Sequence, residues 1–402
     1  MRRLALLIWG TDFDPAIRPL LAVGFTETFA GSALYVFIGI WAIEHLGASQ
    51  VELSITFLLG AVAAVASGWI GGHLSDHLGR RPVMLTAMAA FTAVPILFIL
   101  VGHHVVAGLV ALSLTGVCGS MFNAASYALV ADLLPPDRRE AGYASVRVAN
   151  NLGVCFGPPV GALLLLGNAW TRLDLGVFAL SVFALAAAIR YVPRTGLHAP
   201  EAPPQRSSFE VVRRDHPFLL FVGSSVLASM TYVAFDSLLP ISLATSHGIA
   251  PALWGFLVII NAGLVAFGQL RLTRAVVHVS PAVKLAVAMP LMGFPFLVLR
   301  AADGVAVVAV LMTVFVIGEM LWVPTSQAVV ARFAPPDLRG AYMGVYGSAS
   351  QAAWALTPFA GLQVRHAFGD FSMWAVMAGI SLVAAAAGAI AAGERRVASA
   401  PA

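Results

Sequence analysis

The stretch Gly71-Gly72-His73-Leu74-Ser75-Asp76-His77-Leu78-Gly79-Arg80-Arg81-Pro82 decides how this chain is read. It is a charged, glycine-rich run between two apolar stretches, each long enough to cross a bilayer. A connector this short forces two neighbouring helices to meet at one membrane surface. The alternative is a solvated hairpin with no mechanical role.

Composition agrees with a chain built from such pairs. Of 402 residues, 59% are hydrophobic and only 10% charged, and the mean hydropathy is +0.88. Soluble domains carry about 25% charge, so the chain falls in the integral-membrane class. Twelve apolar spans can be placed, near 17–41, 52–74, 83–101, 105–131, 141–166, 173–192, 216–243, 252–272, 282–300, 304–331, 341–364 and 370–392. Backbone groups in lipid must be bonded internally, which makes these spans helices. The alternation expected of a transmembrane barrel is absent. The run Leu4 to Trp9 is too short for a signal-peptide core and is followed by Asp12 and Asp14, so no cleavage is expected. Cys118 and Cys155 lie inside spans, where packing is the simplest role. Trp41, Trp69, Trp254 and Trp374 near span ends fit interfacial belts.

Basic residues orient the chain, because Lys and Arg are retained on the cytoplasmic side. Of the 23, nineteen fall on the termini and the even-to-odd connectors, three (Arg172, Arg300, Arg365) on the opposite side, and Arg147 within a span. Both termini are therefore expected in the cytoplasm, with the protein multi-pass in the plasma (inner) membrane. The net charge of +4 is then mainly a topology signal, and no basic patch with aromatic partners suggests a nucleic-acid partner.

The segment from Ala128 to Arg139, ALVADLLPPDRR, recurs as AVVARFAPPDLR from Ala328 to Arg339. Each copy ends an apolar span and enters a Pro-Pro-Asp turn, where the prolines stop one helix and the aspartate can cap the next. This internal duplication divides the chain into an N-terminal bundle, 1–192, a polar linker, 193–215, and a C-terminal bundle, 216–402. The fold class expected is all-α integral membrane, with two pseudo-symmetric six-helix bundles.

The run on Gly72, Leu74, Asp76, Gly79, Arg80 and Arg81 resembles the signature loop of the major facilitator superfamily, G-x-L-a-D-r-x-G-R-[RK]. The second half keeps Gly268, Arg271, Arg274 and Pro281 but lacks the aspartate. In span five, Gly153-x-x-x-Gly157-Pro158-x-x-Gly161 looks like the antiporter motif of that superfamily's proton-linked drug exporters, with Ala162 in place of the last glycine. Small residues also let helices approach closely, and packing alone is the competing explanation. The resemblance implies a secondary transporter working by rocker-switch alternating access. Gly72, Asp76, Gly79, Arg80 and Arg81 would serve in conformational gating, Asp76 as a latch towards span eleven and Arg80 or Arg81 pairing with Asp132 or with lipid headgroups.

Ionisable residues within spans are costly, at roughly 2.5–3.5 kcal/mol on insertion scales. They are Glu27 in span one, Arg147 in span five, Asp236 in span seven and Glu319 in span ten. Spans one, four, seven and ten line the central cavity in the superfamily, which puts Glu27, Asp236 and Glu319 on expected cavity helices; with Arg147 they are the candidates for proton coupling and the substrate cavity. Glu319, in the stretch Gly318 to Pro324, resembles the G-E-x-x-x-x-P element of proton-coupled multidrug and peptide carriers; a structural hydrogen bond is its alternative role. Asp236 resembles an acidic element of the drug exporters, with simple solvation as its alternative. Glu27 stands where relatives place Arg or Asn, and Arg147 could be a relay cation or half of a static ion pair. Burial favours the neutral form of a carboxyl, as needed in a group that loads and releases protons near neutral pH.

The functional expectation is proton-coupled efflux of amphipathic or drug-like small molecules by a monomer whose partners are substrate, protons and the bilayer. No enzymatic activity is expected, and neither a cofactor nor a metal is called for. The phosphate-binding pattern G-x-x-x-x-G-K-[ST] does not occur. Proton-coupled uptake of a metabolite and a non-transporting receptor or assembly role on the same scaffold are the competing readings.

Overall fold

The computed structural model describes residues 14–193, 212–302, 304–335 and 339–398. Most of the expected linker, the Pro-Pro-Asp turn at Asp337 and the side chain of Arg339 lie outside the described residues. Every regular element among those described is helical. The helices are α1 (Arg18–Tyr35), α2 (Gln50–Leu78), α3 (Arg80–Val101), α4 (Val105–Leu133), α5 (Pro136–Leu165), α6 (Trp170–Tyr191), α7 (His216–Ser237), α8 (Leu239–His247), α9 (Pro251–Ala275), α10 (Pro281–Gly293), α11 (Val305–Phe333), α12 (Arg339–Phe368) and α13 (Asp370–Ala398).

Eleven of the helical stretches are long and apolar enough to cross a membrane. The remaining expected span corresponds to α12, a continuous helix of 30 residues. It is less apolar because Ser348, Ser350, Gln351, Thr357 and Gln363 interrupt it.

Two compact units result, each described here by itself. The first comprises the described residues of Met1–Ala48, Leu59–Glu201 and Pro251–Phe256, and the second those of Ser49–Leu58, Ala202–Ala250 and Leu257–Ala402. In the first unit α1 packs on α5 and α6, and α3 on α4 and α6. In the second, α7 packs on α12 and α13, and α10 on α11 and α13. One packing scheme therefore occurs twice. The duplicated sequence falls on matching places, since α4 and α11 begin and end 200 residues apart.

Three sequence expectations change. Residues 71–78 continue α2 as helix, and only Gly79 separates α2 from α3. Gly79 has φ 93°, in a region that side-chain-bearing residues rarely adopt, so the reversal is a single-residue hinge rather than a loop. Span seven, expected over 216–243, is not one continuous helix. α7 stops at Ser237 and α8 starts at Leu239, because Pro240 has no N–H to offer the carbonyl of Asp236 four residues earlier. Finally, Trp41, Trp254 and Trp374 are buried in protein rather than set in an interfacial belt, while Trp69 is exposed. Trp41 stacks on Phe98 at 4.2 Å between ring centroids.

Lipid tails are as apolar as leucine, so helix packing rests on close contact and hydrogen bonds. The α1–α5 seam shows how. A Cβ on Gly153 would lie 2.8 Å from the backbone nitrogen of Phe29, one on Gly157 2.5 Å from the Phe29 carbonyl, and one on Gly161 2.1 Å from the Ala33 carbonyl. Backbone meets backbone along this glycine face, and Ser32 Oγ donates to the Gly153 carbonyl at 3.2 Å.

Candidate functional site

In the second unit the sequence around Glu319 builds a site step by step. A Cβ at Gly318 would sit 2.6 Å from the Ala288 carbonyl, so α10 can approach α11 there only because residue 318 is glycine. Pro324, inside α11, has no N–H and leaves the Met320 carbonyl without its helical donor. Gln269 of α9 supplies the missing bond, its Nε2 donating to that carbonyl at 2.9 Å. Eight residues earlier on α9, Asn261 Nδ2 donates to Glu319 Oε2 at 2.7 Å. Thus α9 clasps α11 at two successive points, one structural and one on the acid.

Asp236, the last-but-one residue of α7, follows Phe235, whose ring packs on Phe315 of α11, one helical turn before Glu319, so both acids belong to the α7–α11 contact. The break before α8 places it where the helix has lost a backbone donor. Aromatic rings border this region. Tyr232 lies 6.0 Å from Trp322, and Phe235 stacks on Phe315 at 4.5 Å. The structure therefore brings two of the four sequence candidates, Asp236 and Glu319, into one place.

Glu27 and Arg147 are elsewhere, in the first unit. Glu27 accepts a hydrogen bond from Thr28 Oγ1 at 3.1 Å. It lines a small internal cavity with Met88, Phe91, Cys118 and Ser181. This cavity lies inside the bundle formed by α1, α3, α4 and α6. Arg147 is exposed on α5, and among the described residues no acidic partner holds it.

At the Gly79 hinge, Arg80 Nε donates to Asp132 Oδ2 at 2.9 Å, and its Nη1 reaches Ser75 Oγ at 2.9 Å and Asp76 Oδ1. One guanidinium thereby ties the ends of α2, α3 and α4 together. Arg81 takes a different partner, donating to the Ile189 carbonyl at 2.6 Å. In the second half the position of Asp132 is occupied by Arg332, so this arrangement cannot repeat there.

Several functional candidates were not picked out from the sequence. Asn261 and Gln269 escaped notice because neutral amides carry no charge signal, although two amides at i and i+8 in an apolar helix mark one polar face. Asp174 of α6 is 2% exposed, and its Oδ1 has no hydrogen-bond partner. Arg365, read only as a topology marker, is buried. Its Nε donates to Asp370 at 2.8 Å and its Nη2 to Thr245 and Ser246 at 2.6 and 2.7 Å, which anchors α8 to α12 and α13. No group of three or more His, Cys, Asp or Glu side chains capable of holding a metal occurs among the described residues.

A doubled bundle of membrane-length helices with carboxylates inside both units is the architecture of a polytopic membrane transporter. The chain belongs to the Major Facilitator Superfamily, whose sequence profile matches residues 20–358. It is 24% identical over 86% of its length to an uncharacterised transporter of this type, YqjV of Bacillus subtilis (strain 168), covering 86% of that protein. A Na(+), Li(+), K(+)/H(+) antiporter of Planococcus maritimus is 24% identical, with 82% of this chain and 85% of the relative covered. The multidrug resistance protein MdtH of Cronobacter sakazakii (strain ATCC BAA-894) is 26% identical, with 81% and 79% covered. Among solved structures, the nucleoside transporter NupG superposes with a TM-score of 0.75 at 12% identity, covering 94% of this chain and 99% of that one; the likeness is one of fold. The protein is a transporter and not an enzyme.

Proposed function

We propose that the protein is a proton-coupled exporter of amphipathic, cationic drug-like molecules, with Glu319 as the principal exchanging carboxylate and Asp236 as its electrostatic partner. The observation that carries this reading is the 2.7 Å bond from Asn261 to Glu319, beside a second acid and among aromatic rings. Two nearby carboxylates disfavour double ionisation, so one of them tends to hold a proton until a cation replaces it. Tyr232 and Trp322 offer ring faces that attract an organic cation. Exchange of one proton for one monovalent cation moves no net charge, so the pH gradient drives it, each pH unit contributing about 1.4 kcal/mol, a tenfold gradient of the cation. MdtH, by its name a multidrug resistance protein, supports the choice of substrate class.

In this reading the Arg80–Asp132–Asp76 cluster gates the conformational cycle, and the glycine seam between α1 and α5 keeps the first unit rigid. The protein works as a monomer in the plasma membrane with both termini in the cytoplasm, as the basic-residue count implies.

Exchange of alkali cations for protons is a second reading, favoured by the Planococcus relative and by the oxygen donors of Glu319, Asp236 and the Asn261 amide, which suit hard cations. Everted vesicles separate the two. Proton release on adding organic cations, with none on adding Na⁺, Li⁺ or K⁺, upholds drug export. The reverse pattern establishes the alkali-cation exchanger, and no release with either class removes proton-coupled export.

A further inference from the structure

We propose that His45 and His103 form a binding site for one divalent first-row transition-metal ion, where the end of span one meets the turn between α3 and α4. The local structure begins with the sequence beyond α1. After the short helical turn Ile38–Ile40, the chain widens into a π-helical turn, Trp41–His45, a conformation that concentrates at functional positions. This turn ends on His45, whose ring centroid lies 5.5 Å from that of His103. In the sequence the two are 58 residues apart, and the pair His103-His104 looks isolated.

Their hydrogen bonding defines a ligand. His103 Nδ1 lies 2.9 Å from the carbonyl oxygen of His45. A carbonyl only accepts, so Nδ1 carries the proton and donates it, and Nε2 of the neutral ring keeps its lone pair. Metal-binding histidines are held this way, one nitrogen orienting the ring through a carbonyl and the other facing the ion. Two imidazoles bound at a metal–nitrogen distance of about 2.0–2.1 Å place their ring centres roughly 5–6 Å apart. The observed separation is in that range.

The site is open to solvent. His45 lines an open groove with Asn168, Trp170 and Arg172. The Arg172 guanidinium donates through Nε to the carbonyl of Leu164, at 2.5 Å, and through Nη2 to that of Leu166; its positive charge remains in the groove and lowers the affinity for any cation. Two protein ligands leave the other coordination positions to water, which makes the site labile and selects ions in the order Cu²⁺, then Ni²⁺ and Zn²⁺. A bound ion ties the end of span one to the α3–α4 turn.

The test uses the purified full-length protein in detergent, carrying His73→Gln and His77→Gln. Those two histidines stand one helical turn apart with ring centroids separated by 4.5 Å and would take up the same ions. Cu²⁺ alone is titrated, with electron paramagnetic resonance reading the coordinated nitrogens and tryptophan fluorescence reading proximity, since the Trp170 ring lies 5.9 Å from that of His45. One Cu²⁺ per chain with two imidazole nitrogens is expected, together with quenching that shrinks in Trp170→Phe. His45→Gln and His103→Gln should each weaken binding by roughly tenfold or more, at least what loss of an outer-shell partner costs. His104→Gln should leave it unchanged. Thermal unfolding of each variant without metal verifies folding, and the nitrogen count in the unsubstituted His45–His103 pair decides the matter if a variant fails to fold. Equal Cu²⁺ affinity after removal of both histidines, dependence on His104 but not His103, or a single coordinated nitrogen overturns the proposal.

Discussion

Asn261 donates a hydrogen bond to Glu319 across 2.7 Å, joining the eighth and tenth spans of the chain through an acid. A neutral amide can stay bonded to the carboxyl whether the acid is ionised or neutral, because the amide carries both donor and acceptor atoms. The acid is thus held in place through both protonation states. Glu319→Gln should abolish proton-driven concentrative efflux while preserving binding of neutral substrates, since glutamine copies a protonated carboxyl but cannot exchange its proton. Asp236→Asn and Glu27→Gln should give weaker defects. Vesicle transport with and without an imposed pH gradient measures this, and proton-coupled transport at the normal rate by Glu319→Gln would transfer the role to Asp236 or Glu27.

Asn261→Leu removes the donor but keeps the bulk. Hydrogen bonds to charged groups contribute about 1.5–3 kcal/mol, so transport should slow by roughly tenfold or more, with little change in expression. Asn261→Gln should recover part of the loss. A normal rate in Asn261→Leu would leave this bond without a role in transport.

Arg80 holds Asp132 at 2.9 Å and Asp76 beside it. Asp132→Asn should loosen the junction of α2, α3 and α4, since one partner of a partly buried ion pair is lost while the guanidinium remains. Asp76→Asn should act more on the conformational equilibrium than on folding, because Arg80 retains Asp132. Accessibility of single cysteines on the two membrane faces, compared with thermal stability in detergent, separates the effects. Unchanged accessibility in Asp76→Asn would end the gating role.

The helices and their pairing were legible because membrane physics leaves few choices: long apolar runs must be helical, and the duplicated segment ending at Arg139 and Arg339 exposes the repeat. Glu27, Asp236 and Glu319 stand out in the sequence as charges within spans, whereas Asp174, at the edge of span six and 2% exposed, does not. What the sequence hid were neutral partners and long-range meetings. Asn261 and Gln269 read as ordinary polar residues until α9 is packed on α11. Glu27 was grouped with Glu319 by span number, yet its neighbours are Met88, Phe91, Cys118 and Ser181 inside the first unit, because span number does not fix which face a residue presents. The glycines of span five carry the resemblance to the antiporter motif, and close helix packing is their competing explanation. Only the packing shows that they lie on the backbone of α1.

That seam gives a stability prediction. Gly157→Ala would place a Cβ 2.1 Å from Ser32 Oγ and 2.5 Å from the Phe29 carbonyl. Serine can rotate away, but the backbone carbonyl cannot. Overpacking of this kind costs about 1–3 kcal/mol, so the melting temperature in detergent should fall, and Ser32→Ala should not restore it. Gly223→Ala, at a position with nothing within 4 Å of the added carbon, is the control. Equal melting temperatures for the two variants would remove the close-packing account.

The last prediction concerns the carbonyl that Pro324 leaves free. Gln269 Nε2 bonds the Met320 oxygen at 2.9 Å, replacing the N–H that proline lacks. Gln269→Leu should therefore expose an unsatisfied carbonyl and cost about 1–3 kcal/mol. Pro324→Ala returns a backbone donor to the same oxygen, so the same leucine substitution should cost far less in that background. The double-mutant cycle, read as detergent stability, should show coupling of about 0.5–3 kcal/mol. Transport adds a second readout. Pro324→Ala adds a backbone hydrogen bond to α11 just beyond Glu319 and should slow the cycle even where stability is kept, because the helix next to the acid becomes stiffer. Additive stabilities would mean that Gln269 and Pro324 act independently and that the glutamine serves only its other neighbour, Thr273, at 3.1 Å.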